Sequence, residues 1–156
     1  MKDMNSGFDN LDYAILEELQ INGRVSVADL ARKIHLSQPA VHNRIKRLEK
    51  SGVIRQYVAL LDREVLGLDL LCFIQISVSA GEQIHPLLTK IKTLPEVLEC
   101  YRLAGEFDVL VKVVVTNTRH LDGLIEKHLA PLEGVGRIQT SLVINEAKST
   151  TALKVR

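Results

Sequence analysis

Between Ser26 and Lys50 two amphipathic segments follow each other so closely that few folds can hold them both. Ser26 is a strong helix cap, and Asp29 stands at the third helical position, where a carboxylate suits the free N–H groups. Val27, Leu30, Ala31 and Ile34 then recur at i, i+3, i+4 and i+7, one face of a helix. Only His35-Leu36 separate that segment from Ser37, a second cap, with Pro39 in the first turn, where its missing N–H costs nothing. Val41, Ile45 and Leu48 make the second apolar stripe, and Gln38, His42, Asn43 and Lys46 stand on the opposite side. Two short helices across a tight turn, the second rich in amides and cations, is the helix-turn-helix pattern. Amides match base edges and cations match phosphates, so the second helix is the candidate reader of double-stranded DNA.

Charge supports this reading. Arg32 to Arg55 hold seven cations against one anion, Glu49, a local charge of +6; the chain totals +1, so the remainder sums to −5. A basic patch on a mildly acidic chain fits a polyanion contact confined to one face. With 46% hydrophobic and 25% charged residues the chain reads as soluble and globular, long enough for one ordinary or two small domains. Met1 to Asn10 is polar and shows no secretory signal, and the longest uncharged run, Leu70 to Gly81, is too short to span a bilayer. Cys72 and Cys100 lack ligand spacing and sit in apolar stretches, so free buried thiols in a cytoplasmic protein are expected, with no membrane association.

Before the first Ser-capped segment, Asp9 can cap another helix, with Phe8 and Tyr13 as a hydrophobic staple. Leu11, Ile15, Leu16 and Leu19 supply its stripe, and Asn22-Gly23 ends it. Ser51-Gly52 stops the recognition helix, and Val53 to Leu61 reads as extended chain, a wing or linker strand. Asp62 to Asp69 has no period and carries the boundary. Leu70 to Ser79 then reads as a strand buried on both faces. A helix follows at Ile84 to Ile91, then strands at Val97 to Leu103 and Phe107 to Val115 joined by a turn at Ala104-Gly105-Glu106. A second helix runs from Leu121 to Leu129, a last strand from Val135 to Asn145, and a short strand is expected at Ala152 to Val155. The β-α-β-β-α-β order is the ferredoxin-like arrangement. The expected class is therefore α+β: residues 1–62 a helix-turn-helix, winged-helix-like unit, and residues 63–156 a ferredoxin-like domain.

The motifs Leu11-Asp12, Asn22-Gly-Arg-Val-Ser26, Asp29-Leu-Ala31, Leu36-Ser37, Arg44-Ile-Lys-Arg-Leu-Glu49, Gly52-Val-Ile54 and Gln56-Tyr57 stand in register. Together they resemble the leucine-responsive regulatory protein (Lrp)/AsnC family of transcription regulators, over nearly the whole chain. The DNA-contacting candidates are Ser37, Gln38, His42, Asn43, Arg44, Lys46 and Arg47, with Arg44, Arg47 and Arg32 on phosphates. The resemblance implies an amino-acid effector site between subunits at a Gly-x-x-Asp motif, here Gly105 to Asp108. Leu103, Gly105, Phe107, Asp108, Thr140 and Ser141 are assigned to it, the hydroxyls coming from a neighbouring subunit. Ile138 replaces a second threonine of some relatives, which tilts the effector toward an apolar side chain. It also implies homodimers assembled into an octamer. From the residues themselves, Gly105 stands at a hairpin turn, where glycine permits positive φ, and Asp108, on an otherwise apolar strand, needs a polar partner.

No enzyme constellation is present. The five histidines are scattered, and there is no GxSxG, no phosphate-binding glycine loop and no cysteine beside a base. No catalytic residue, metal ligand or cofactor is assigned. The expected function is a sequence-specific DNA-binding transcription regulator whose assembly and DNA binding respond to a small effector. The alternatives are an effector-independent architectural DNA-binding protein and an amino-acid-binding regulatory subunit of an enzyme.

Overall fold

The computed structural model describes residues 7–79 and 84–155. Met1 to Ser6 at the polar start, and Ala80-Gly81 at the end of the uncharged run, lie outside the described residues. The chain forms two compact units: the chain through Leu60 together with the tail from Ser149, and Leu61–Lys148.

The first unit is built from α1 (Asn10–Ile21), α2 (Val27–Lys33) and α3 (Gln38–Lys50). Each helix starts where its cap predicts. Asp9 accepts from the Leu11 and Asp12 N–H groups and Asp12 reciprocates on the Asp9 N–H, a capping box formed by two aspartates. Ser26 accepts from Asp29 N at 3.0 Å, and Ser37 from Ala40 N at 3.4 Å. The α2–α3 turn is closed by His35 at φ 55 and by the Leu36 N–H reaching back to Ala31 O at 3.0 Å. Left-handed backbone normally selects glycine, and histidine is one of the few tolerated substitutes. The apolar stripes converge on Ile15, Leu16, Leu30, Ala31, Val41 and Leu48, with Phe8 and Tyr13 packed against that cluster.

The second unit holds β1 (Leu70–Val78), α4 (Ile84–Ile91), β2 (Val97–Arg102), β3 (Val109–Val115), α5 (Thr118–Leu124) and β4 (Val135–Leu142). Strand order is β2-β3-β1-β4, with every pair antiparallel. This is the ferredoxin-like α+β arrangement that the element order predicts. Cys72, Ile74 and Ile76 of β1 and Val109, Val111, Val113 and Val115 of β3 face Ile84, Leu87, Ile91, Leu121, Leu124 and Leu129 in one core. Asn117 caps α5, which widens into a π-helical turn over Ile125–Leu129 where a single helix was expected.

Four further expectations change. β1 is covered by helices on one face only; on the other, Phe73, Gln75 and Ser77 are half-buried, because both helices lie on the same side of the sheet. Val53 to Leu61 forms neither wing nor strand. Tyr57 is held by its hydroxyl on Glu49 at 3.1 Å, while Val58, Leu60, Leu61, Val65 and Leu66 stand exposed. Ala152 to Val155 forms no strand either, since a side-chain amide takes the place of a ladder: Gln20 donates to Leu153 O at 3.0 Å and accepts from Leu153 N at 2.6 Å. That contact groups the tail from Ser149 with the first compact unit. Lastly, Gly105 is not among the glycines at positive φ, which are Gly52, Gly67 and Gly134.

Candidate functional site

Helix α3 separates its side chains by angle. Val41 and Leu48 are fully buried, and at 100° per residue Pro39, Asn43, Lys46 and Lys50 fall opposite them. Gln38 and His42 flank that exposed face and, with Val27 and Pro39, line a shallow depression between the starts of α2 and α3. Ser37 is spent on capping. The exposed surface thus offers two amides, an imidazole and two ammonium groups beside a small apolar step, which suits base edges, phosphates and a thymine methyl.

The seven cations of the basic stretch divide into two sets. Lys46, Lys50 and Arg55 have no carboxylate partner among the described residues, whereas Arg32 pairs with Asp29 and Lys33 with Glu18. Arg44, expected on a phosphate, is instead turned inward: its Nη1 donates to both Asp9 oxygens at 2.9 and 2.8 Å and to Asp12 at 2.8 Å. Arg47 donates through Nη2 to Asp12 and keeps half of its side chain exposed. Asp12 is fully buried, yet its carboxylate has three donors, the two guanidiniums and the Asp9 N–H. The N–H of Asp12 and the Arg44 guanidinium hold the Asp9 carboxyl below its usual range, and the Asp12 and Asp9 carboxylates push Arg44 further up. A carboxylate sharing charge-assisted bonds with two arginines fastens α3 to the start of α1.

In the second unit the turn Leu103–Phe107 and the amides Gln75 and Gln139 line a cleft of about 350 Å³. Gln75 of β1 and Gln139 of β4 are register partners on the sheet face away from α4 and α5. Sequence reasoning missed both, although Gln75 is the lone amide in an apolar strand. Of the assigned residues, Leu103, Gly105 and Phe107 line the cleft. Asp108 does not; its Oδ2 accepts from Val78 N at 2.7 Å, filling the register shift between Ile76 and Val78. The polar partner that Asp108 needs is therefore a backbone amide. Thr140 is register partner to Ile74 and so faces the helices, whereas Ser141, opposite Phe73, shares the open face without lining the cleft.

A third missed residue stands beside the cleft, against two of the residues that line it. Arg137 pairs with Glu106, stacks over the Phe107 ring at 4.5 Å, and is held by its N–H on Ser77 Oγ at 2.7 Å. Gly136 packs closely here: a Cβ would meet Ser77 Oγ and Ser79 Oγ at 2.9 Å, so both hydroxyls would have to shift to admit one. Gly105 is not required by the backbone: a Cβ there would meet nothing within 4 Å and would simply enter the cleft it lines. Among the described residues no group of three His, Cys, Asp or Glu side chains could hold a metal, and no helix is long and apolar enough to cross a membrane.

Comparison with known proteins agrees with both halves. The AsnC-type helix-turn-helix domain matches residues 8–49, and the Lrp/AsnC ligand binding domain matches residues 71–153. The chain is 34% identical over 153 residues to the HTH-type transcriptional regulator FL11 of Pyrococcus furiosus, covering 98% of this chain and 100% of that one. It is 37% identical over 157 residues to the leucine-responsive regulatory protein of Haemophilus influenzae, covering 99% and 95%. Among solved structures, the transcriptional regulator NMB0573 of Neisseria meningitidis in complex with L-Met has a TM-score of 0.91 at 35% identity, covering 95% of this chain and 97% of that one. AsnC of E. coli has a TM-score of 0.88 at 27% identity, covering 93% and 97%. Helical caps, sheet order, both domain matches and full-length relatives agree: the chain belongs to the Lrp/AsnC family and is a DNA-binding transcription regulator.

Proposed function

We propose that this regulator binds an amino acid in the cleft between Gln75, Gly105 and Gln139, and that occupancy controls how copies of the chain assemble on DNA. The observation that carries the reading is the position of the cleft. It opens on the sheet face that bears half-buried Phe73 and Leu110 and exposed Tyr101 and lacks a helical cover. A second copy covering that face closes the cleft, so ligand and partner are bound together. The side-chain amides supply donors for a carboxylate and acceptors for an ammonium, and Gly105 leaves the turn open to close approach. Asp108 braces the turn from behind, a revised role for the residue that the resemblance assigned to the ammonium. Thr140 and Ser141 reach an effector, on this reading, only from a neighbouring subunit.

The exposed apolar residues from Val58 to Leu66 add surface for a second copy, and a dimer, extended to an octamer, presents two or more recognition helices to spaced half-sites. Gln38, His42 and Asn43 read bases and Lys46 a phosphate. The protein is a non-catalytic, cytoplasmic regulator in this account. The amino acid carried in the NMB0573 complex, L-Met, supports an apolar effector side chain. Calorimetry against the twenty amino acids, paired with sedimentation, tests the reading. An amino acid should bind wild type and shift its assembly, and Gly105→Val should bind none while its melting temperature stays within a few degrees. No heat from any amino acid would favour an effector-independent architectural protein, and equal heat for Gly105→Val would place the amino acid outside this cleft.

A further inference from the structure

The buried carboxylate of Asp12 has no place in the DNA contacts described so far, yet it touches two arginines of the helix that makes them. Resting on the assignment of α3 as the DNA-reading helix, we propose that Asp12 is a positioning residue for DNA binding, acting by holding Arg47 in the geometry that meets a phosphate. Asp12 is fully buried, 32 and 35 residues before its arginine partners, and it bonds one through each oxygen. The two arginines are not equivalent. Arg44 gives three bonds to Asp9 and Asp12 and only 24% of its side chain is exposed, so it fastens the helices together. Arg47 gives one bond, through Nη2, and is 53% exposed; its Nε and Nη1 have no carboxylate partner among the described residues and are left to donate to another group.

Arginine presents its donors in a planar fork, so anchoring one nitrogen fixes where the others point. An unanchored arginine loses rotamer freedom when it meets a phosphate; one already held by Asp12 has lost it on folding, and the DNA complex gains accordingly. An opposing effect must be weighed. The Asp12 charge partly neutralises Arg47 and repels phosphate. That charge is already shared between two guanidiniums, Arg44 and Arg47, so little of it is left to repel a phosphate, and the fixed donor geometry outweighs it.

This competition yields a test by sign. On charge alone, removing any aspartate near α3 strengthens DNA binding. Asp9→Asn removes one such charge while keeping an equally good cap and leaving the Arg47 contact intact, so it should bind DNA more tightly. Asp12→Asn removes the same charge but should bind roughly tenfold more weakly, with the slope of log affinity against log salt lowered by about 0.9, one phosphate. Arg47→Ala should lose the same slope, and the double variant no more than either alone. The probe is a duplex selected in vitro from a random pool by the full-length wild-type protein. Arg47→Lys covers the case in which Asp12→Asn does not fold: it keeps the charge but not the fork, and should bind more weakly than wild type, though less weakly than Arg47→Ala. Lys46→Ala is the control for α3 itself. If Lys46→Ala leaves binding unchanged, the reading of α3 fails. If Lys46→Ala weakens binding but Asp12→Asn strengthens it like Asp9→Asn, or Arg47→Lys binds like wild type, the positioning role of Asp12 is overturned.

Discussion

The two units of this chain bury different things. The sheet unit has a core of valine, leucine, isoleucine and Cys72, shared between β1, β3 and two helices. The helical unit has a smaller apolar cluster and beside it Asp12, the one buried charged group among the described residues. In the sheet unit the proposed effector cleft therefore lies at the rim, by Gln75, Gly105, Gln139 and Arg137, and can change without touching the core. In the helical unit the group that fastens α1 to α3 also orients an arginine on the DNA face. Stability and recognition are separable in one unit and joined in the other.

Removing apolar volume gives the largest effect that sharpens this contrast. Ile74 is fully buried at the centre of the sheet core, so Ile74→Ala should cost about 2–5 kcal/mol. Denaturant unfolding followed by amide NMR should show the sheet resonances lost early while α1–α3 persist. Simultaneous loss of both sets would mean that the two cores do not unfold separately.

A smaller effect is expected where β4 approaches β1. In Gly136→Ala the new methyl meets the Ser77 and Ser79 hydroxyls and disturbs the Arg137 N–H bond to Ser77, at a cost of about 1–3 kcal/mol. Because Arg137 stacks on Phe107, amino-acid affinity should fall with it. Gly105→Val makes the complementary case, with affinity lost and stability kept. If Gly136→Ala proved neutral in thermal melts, the close approach of the strands would be wrong.

Much of the fold was legible because its signals are local. The caps Asp9, Ser26 and Ser37 act within three residues, and the i, i+3, i+4 stripes report directly which face is buried. The exposed face of α3 followed from the same arithmetic. What stayed hidden depends on distant pairing. Nothing near Arg44 in the chain says that Asp9 and Asp12 will claim it; that contact exists only after α1 packs on α3. Gln75 and Gln139 are 64 positions apart and meet only through the β1–β4 register, and the same register turns Thr140 toward the helices. Gly105 looks like a turn residue in the sequence, but its backbone needs no glycine, and a Cβ there would meet only the open space of the cleft. A cap is a property of a segment, and a cleft is a property of an alignment between segments.

The distinction between free and claimed cations is the part of the account closest to function. Lys46 and Lys33 carry the same charge, but Lys33 pairs with Glu18 and Lys46 has no carboxylate partner among the described residues. The salt dependence of DNA binding reads that difference directly, through the number of phosphates each cation neutralises. Lys46→Ala should lower the slope of log affinity against log salt by about 0.9, and Lys33→Ala should leave it within error of wild type. An unchanged slope for Lys46→Ala, or an equal fall for both, would contradict the placement of DNA on the exposed face of α3.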